Sequence, residues 1–283
     1  MNSDKSRGAT RPPAVPERVV AEVRERYAKI ATGEISGCCS TACGGGAQGE
    51  IAAGIGYTAD ELAAVPEGAN LGLGCGAPVP LLALKPGETV VDLGAGAGMD
   101  AFVAAPLVGP SGKVIGVDMT PAMLEKARAF AASSGATNVE FREGRLERLP
   151  VDDASADAVT SNCVINLVPD KAAVFREIAR VLKPGGRLVV SDIVLDGDLP
   201  AAVAQDVLAY VGCIGGAVRR QTYFALLAAA GLGRLTVHRD VDYLEAASCA
   251  VDPELKRILD ENGVVSGALK GVVRSVTYGA VRL

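Results

Sequence analysis

Seven cysteines, Cys38, Cys39, Cys43, Cys75, Cys163, Cys213 and Cys249, accompany a single histidine, His238, in a chain of 283 residues. Side chains of these types supply soft sulfur ligands and nucleophiles, but almost no imidazole for moving protons. Zinc knuckles carry C-x-x-C pairs, and none occurs; Cys39 and Cys43 make a C-x-x-x-C half-site in a Gly-rich stretch. The odd number of cysteines argues against a complete disulfide framework. Three cysteines stand singly in marked settings: Cys75 in LGLGCGAP, Cys163 in SNCVINLV and Cys213 in YVGCIGGA. Taken one at a time, each is accounted for as a small buried apolar side chain. Brought together, three thiolates would suit a soft trivalent centre, such as a metalloid that keeps a lone pair opposite its ligands.

A second group of residues has the chemistry of a nucleoside site. VVDLGAGAG places an apolar strand before Gly94, Gly96 and Gly98, with Asp92 two residues ahead of the first glycine. Glycines at a strand's carboxyl end let a ligand approach the backbone closely. The dinucleotide fingerprint G-x-G-x-x-G would need glycine at Met99, so a pyrophosphate is not expected. The next strand ends in GVDM, where Asp118 can accept two hydrogen bonds from ribose hydroxyls. Separately, the turn and the acid are also explained as a tight turn and a helix cap; their order, strand, turn, helix, strand, acid, favours a nucleoside.

The elements that must hold these groups follow from periodicity. Apolar runs TVVDLG, GKVIGVD, NVEFREG, SADAVTSN and GGRLVVSDIVL alternate with an Ala-rich segment, TPAMLEKARAFAASSG and DKAAVFREIARVL. This alternation predicts a Rossmann-like, doubly wound α/β fold with a mostly parallel sheet. Thr120 followed by Pro121 marks one helix start, and LKPGG reads as a turn. Upstream, a helix is predicted over 16–30, a Gly-rich mobile loop over 33–56, and a short helix opened by the capping box of Thr58 and Glu61. Residues 1–16 read as a disordered lead. Beyond Leu199 come helical patterns in DLPAAVAQDVLAYVG and YFALLAAAG, then strands RLTVHRD and VVRSVTYGAVRL. Three parts result: an N-terminal extension over 1–70 with the Cys-rich loop, a core over 71–197, and a C-terminal α+β appendage over 198–283.

Composition removes several function classes. Hydrophobic residues make up 49%, aromatics 4% and Trp is absent, a packing of Ala, Val and Leu and not a polymer-binding surface. The formal charge is −5 and no basic tract occurs, so nucleic acid and anionic membrane are not expected partners. No apolar run spans a bilayer and the N-terminal stretch lacks a hydrophobic h-region, so a cytoplasmic location with reduced thiols is expected.

DLGAGAG, VIGVDMTPAML, SNCVIN and LKPGG together resemble the class I S-adenosylmethionine (SAM) methyltransferases over about residues 75–195. That resemblance implies that Gly94 and Gly96 admit the methionine part of SAM and Asp92 orients its ammonium group. It gives Asp118 the ribose, Met119 the adenine face, and Leu146 with Glu147 the adenine edge, with Asp100 and Asn162 lining the same pocket. Many relatives carry an Asp after the third strand, where this chain has EGRLE with Arg145. SGC at 36–38, GLGCG at 72–76, SNCVINLVPDK at 161–171 and GCIGGA at 212–217 resemble, more narrowly, the arsenite SAM-dependent methyltransferases over about residues 20–225.

The narrower resemblance implies that Cys163 and Cys213 bind trivalent arsenic, with Cys75 a third ligand and Cys38 a fourth catalytic cysteine; here Cys39 and Cys43 follow Cys38, so the fourth role can shift among them, and the alternatives for the loop are a metalloid entry site or an inert segment. It further implies thioredoxin or glutathione-like thiols as reductant, since arsenic oxidised by methylation regains two electrons from the cysteines. An arsenic lone pair needs no deprotonation, which fits the absence of a catalytic histidine. Some relatives have an aromatic residue two positions before Cys75, where this chain has Leu73. Cys249 matches no motif and reads as packing. Two other functions remain open on the residues alone: methylation of a small organic acceptor, and metalloid binding without catalysis. Arsenite or methylarsenite as preferred substrate, the number of methyl transfers and the oligomeric state leave no mark in the sequence.

Overall fold

The computed structural model describes residues 17–35, 48–205, 213–243, 257, 260–261 and 266–283. The readings placed on residues 1–16 and on Cys38, Cys39, Cys43 and Cys249 lie outside the described residues.

Seven strands form one sheet: β1 (Thr89–Leu93), β2 (Lys113–Asp118), β3 (Val139–Glu143), β4 (Ala156–Asn162), β5 (Leu182–Leu195), β6 (Leu232–Asp242) and β7 (Val273–Arg282). Their order is β3-β2-β1-β4-β5-β7-β6. Neighbours run parallel from β3 to β5, and β7 is antiparallel to both β5 and β6. The central strands are apolar on both faces because helices cover both. On one face lie α4 (Met99–Val108) and α5 (Pro121–Ser134), and on the other α6 (Lys171–Val181) and α8 (Arg220–Ala229). Further helices are α1 (Glu17–Thr32), α2 (Gln48–Ile55), α3 (Ala59–Ala63) and α7 (Ala201–Gln205).

α6 shows how sequence sets this packing. Asp170 caps it by accepting from the Ala173 N–H at 2.9 Å, and Val174, Phe175, Ile178 and Val181 bury the stripe that faces the sheet. Phe175 meets Tyr223 of α8 edge-on, and Tyr223 meets Tyr278 of β7. Phe224 also packs edge-on against Tyr223 and Tyr278, so four aromatic rings form one cluster on this face of the sheet. Removing the Phe175 ring would cost about 3–5 kcal/mol through the void it leaves.

Several expectations are met and others corrected in detail. Part of the Gly-rich stretch, QGEIAAGI, is helical and forms α2. Thr58 and Glu61 make both bonds of the predicted capping box. Thr120 occupies the N-cap of α5 but its side chain makes no cap hydrogen bond; its backbone N–H is instead turned to the Asp118 carboxylate at 2.7 Å. LKPGG belongs to β5, yet the ladder jumps from Ala156 opposite Leu182 to Ala158 opposite Arg187, so the turn residues bulge out of register. The strands read from RLTVHRD and VVRSVTYGAVRL join the core sheet as β6 and β7.

The site follows from strand order. The strand order reverses between β1 and the parallel β4, whose helical connections leave on opposite faces and open a crevice at the carboxyl ends. Leu93 pairs with Ser161, so β4 carries Asn162 and then Cys163 just past the last residue of β1.

Candidate functional site

A cleft of about 1380 Å³, its open mouth included, lies at these strand ends. Its lining includes Asp92, Gly94, Gly96, Asp100, Asp118, Met119, Leu146, Glu147 and Asn162, together with Cys163 and Cys213. Val23 and Tyr27 of α1 close one side. Gly94, Gly96 and Gly98 all have positive φ, the conformation that lets the chain turn from β1 into α4. At Gly94 a Cβ would also strike Val164 at 2.5 Å.

Three buried carboxylates face this cleft. Asp118 accepts from the Gly96 N–H at 3.0 Å as well as from Thr120, tying the glycine turn to β2. Asp100 accepts from the Tyr57 hydroxyl and, at 3.2 Å, from Asn162. The Oδ2 of Asp92 is buried and has no hydrogen-bond partner among the described residues. Burial pushes the Asp100 carboxyl up to about 6, against the bonds from Tyr57 and Asn162 that favour its charged form. Burial, with the charges of Asp100 and Asp118 added, holds Asp92 well above the usual carboxylate range. Burial likewise raises Asp118, opposed by its backbone hydrogen bonds. Such a cluster is relieved by a bound cation that also donates hydrogen bonds. SAM, with an ammonium, a sulfonium and a ribose, fits the residues present. At the other end of the cleft the Glu147 carboxylate is paired with Arg145 at 2.7 Å, and Leu146 is buried.

Cys75, Cys163 and Cys213, far apart in sequence, meet beside this cleft as thiols. Cys163 exchanges hydrogen bonds with the thiols of Cys213 and Cys75, and these contacts, with burial, hold its thiol well above the usual range. At Cys75 the hydrogen bond from Cys163 favours the thiolate, but burial and the charges of Asp192 and Cys213 outweigh it and raise the thiol. The Cys213 Sγ also lies 2.8 Å from the carbonyl oxygen of Cys163. Cys163 and Cys213 have φ of 60° and 68°, left-handed backbone at β-carbon-bearing residues, which costs about 1–2 kcal/mol each. Strain of this kind persists where the surroundings hold a side chain in a particular direction. Cys163 and Cys213 line the cleft; Cys75 does not, although its neighbour Gly74 does. Among the described residues no group of three His, Cys, Asp or Glu side chains is arranged to hold a metal ion. The sulfurs are therefore gathered as hydrogen-bonded thiols, and ligation would require them to lose protons and draw together.

Asn162 lines the cleft, but its amide is spent on the Cys75 loop. Its Oδ1 accepts from the Cys75 N–H at 3.0 Å, and its Nδ2 donates to the Gly76 carbonyl at 2.7 Å as well as to Asp100. The glycines of GLGCG serve this approach: Gly74 has φ of +117° and faces the Asn162 amide 3.0 Å from where a Cβ would stand. Beneath the thiols, Asp192 accepts from Asn166 at 2.8 Å and from Tyr223 at 2.9 Å. Lys171 is buried and donates to the carbonyls of Val168 and Asn166 at 3.1 and 3.3 Å. Burial lowers its ammonium to about 8, opposed by Asp192 and Cys213. Asn166 and Lys171 explain part of SNCVINLVPDK as support for the strand end. Tyr57, Asp192 and Ser275 are site residues that sequence reasoning missed. Tyr57 had one local signal, a lone aromatic immediately before the capping box; the other two had none.

Strand order, acid-lined cleft and glycine turn define a class I methyltransferase. Residues 84–263, more than half of the chain, match the family described as "Methyltransferase domain". A phosphoethanolamine N-methyltransferase from Haemonchus contortus solved with SAM, 20% identical, shares the fold with a TM-score of 0.59 over 75% of this chain and 54% of its own. Nearer in sequence is an arsenite methyltransferase of Halobacterium salinarum, 48% identical over 76% of this chain and 58% of its own length. A crystal structure of an arsenic (III) SAM methyltransferase from Chlamydomonas reinhardtii is 33% identical, with a TM-score of 0.59 over 82% of this chain and 73% of that one. The chain belongs to the arsenite SAM methyltransferase family. It spans a little over half the length of the Halobacterium relative.

Proposed function

We propose that the protein transfers the methyl group of SAM to trivalent arsenic, arsenite or methylarsenite, held by cysteine sulfur. The observation that carries this reading is the meeting of Cys163 and Cys213 at the cleft with Cys75 against them. SAM bound in the cleft supplies an electrophilic methyl carbon on its sulfonium. Asp92 is suited to hold the ammonium, and Asp118 the ribose. Cys163, Cys213 and Cys75 are suited to hold arsenic with its lone pair free, so that the pair accepts the methyl without a proton having to leave first. Alignment of the two reactants supplies much of the acceleration, since a lone pair attacking the methyl needs no general base. Arsenic oxidised by the transfer regains two electrons as two cysteines close to a disulfide, which thioredoxin or a small thiol such as glutathione then reduces. Cys38, in the N-terminal segment, is carried as a fourth cysteine on family resemblance alone. A cytoplasmic location is part of the proposal; among the described residues no helix is long and apolar enough to cross a membrane.

The test is incubation of the pure protein with SAM, arsenite and a thiol, followed by chromatographic separation of arsenic species. Mono- or dimethylated arsenic is expected. Its absence, with SAM bound and intact thiols verified, overturns the reading.

A further inference from the structure

Ser275 lies on β7, 200 positions beyond Cys75, and is buried. Its Oγ donates to the Cys75 carbonyl oxygen at 2.8 Å. The N–H of Cys75 is meanwhile held by Asn162, at 3.0 Å. One residue's peptide groups are thus gripped from β4 on one side and from β7 on the other.

The next residue is fitted as closely. A Cβ at Gly76 would stand 2.5 Å from the Ser191 Oγ and 2.8 Å from the Thr277 Oγ1, and those hydroxyls bond to each other at 2.8 Å. β7 alternates in a way that packing alone does not require. Val276, Tyr278 and Ala280 join the hydrophobic cluster around the aromatic side chains, whereas Ser275 and Thr277, buried on the other face, are polar. A buried hydroxyl costs free energy unless it is hydrogen-bonded. The bond that satisfies Ser275 goes to the backbone of the cysteine that does not itself line the cleft.

We infer that Ser275 is a positioning residue for the thiol site: it fixes the Cys75 loop so that the Cys75 sulfur stands against Cys163 as the third arsenic ligand. The inference rests on the arsenic reading above and adds to it that a strand 200 positions beyond Cys75 completes the site. Ser275 does not line the cleft, so its contribution falls on arsenic and not on SAM.

The experiment uses the full chain with Ser275→Ala, and with the pair Ser275→Thr and Ser275→Val, which are equal in shape and differ in the hydroxyl alone. Arsenite and SAM affinities are measured by calorimetry, KM for arsenite and kcat by arsenic speciation, and backbone amide exchange over residues 72–78 by mass spectrometry. The expected result is arsenite affinity weakened roughly five- to tenfold in Ser275→Ala and Ser275→Val, one hydrogen bond's worth. KM for arsenite rises to match, SAM affinity stays within twofold, amide exchange at residues 72–78 accelerates, and Ser275→Thr recovers most of each loss. Unchanged arsenite affinity with unchanged exchange overturns the inference, as does an equal loss in Ser275→Thr and Ser275→Val, or a parallel loss of SAM binding. If the wild-type protein neither binds nor methylates arsenite, the arsenic reading fails, and the exchange at residues 72–78 still decides whether Ser275 holds the loop.

Discussion

Replacing Asn162 by alanine tests the link between cleft and thiols. The substitution removes the acceptor for the Cys75 N–H at 3.0 Å and the donor to the Gly76 carbonyl at 2.7 Å, besides a 3.2 Å bond to Asp100. Each buried backbone group left without a partner costs about 1–3 kcal/mol. Two such groups, partly relaxed or rehydrated, give a loss of roughly 2–4 kcal/mol, within the stability of an ordinary domain, so the variant is expected to fold. For a chain of this size that corresponds to a melting midpoint lowered by about 5–12 °C. The catalytic loss should be of similar size in free energy, because a ligand displaced by about 1 Å from its line of attack costs on the order of 100-fold, about 2.7 kcal/mol. Calorimetric melting, amide exchange at Cys75 and Gly76, and methyl transfer to arsenite are the assays. Asn162→Asp should restore the bond from Cys75 but not the donor to Gly76, and it sets a further carboxylate against Asp100. The reasoning is refuted if Asn162→Ala melts within about a degree of wild type and its Cys75 amide exchanges no faster.

Cys163→Ser and Cys213→Ser should each abolish methyl transfer to arsenite while SAM affinity, read by calorimetry, is nearly unchanged; residual arsenic turnover in either would remove that cysteine from the site. Gly76→Ala sets a Cβ 2.5 Å from the Ser191 Oγ and should cost about 1–3 kcal/mol of stability by overpacking, with arsenite affinity falling more than SAM affinity. SAM affinity should rise between pH 5 and 7.5, because Asp100 ionises at about 6 and the charged carboxylate is the form that attracts a cation. The sign for stability is opposite in the free protein. The Asp100 carboxyl is raised from 3.8 to about 6, so its contribution is fully present below 3.8 and is lost as pH rises through 6, on the order of 3 kcal/mol. Thermal stabilisation by SAM should therefore grow across that window, and a flat profile would count against the carboxylate cluster as the cation site.

What the sequence disclosed depended on how local its cause was. Strands β1, β2 and β4 are short apolar runs followed by turns, and the capping box of Thr58 and Glu61 spans four residues, so both were legible. Asp92 and Asp118 were legible as well, because each stands at a fixed offset from a glycine turn or a strand end. The hold of Asn162 on Cys75 spans 87 positions and that of Ser275 spans 200, distances over which no periodicity or spacing carries a signal. The same holds for the pairing of Tyr57 with Asp100. The glycines of QGEIAAGI suggested a loop, yet α2 is helical there, with Ala52 buried in the cluster that covers α4; tertiary packing offset weak intrinsic propensity. LKPGG retains its turn residues while the strand assignment runs through them, so the sequence marked the bulge and missed the continuity.

Among the described strands β7 is the latest in the chain, and it lies between β5 and β6 instead of at the rim. During synthesis all three thiols leave the ribosome before it does. Until β7 emerges, β5 has an unsatisfied flank, β6 has nothing to zip onto, and Cys75 lacks one of its two anchors. A half-made chain would accordingly lack one hold on the Cys75 loop, and the thiol cluster would gain its full framework only once β7 has paired.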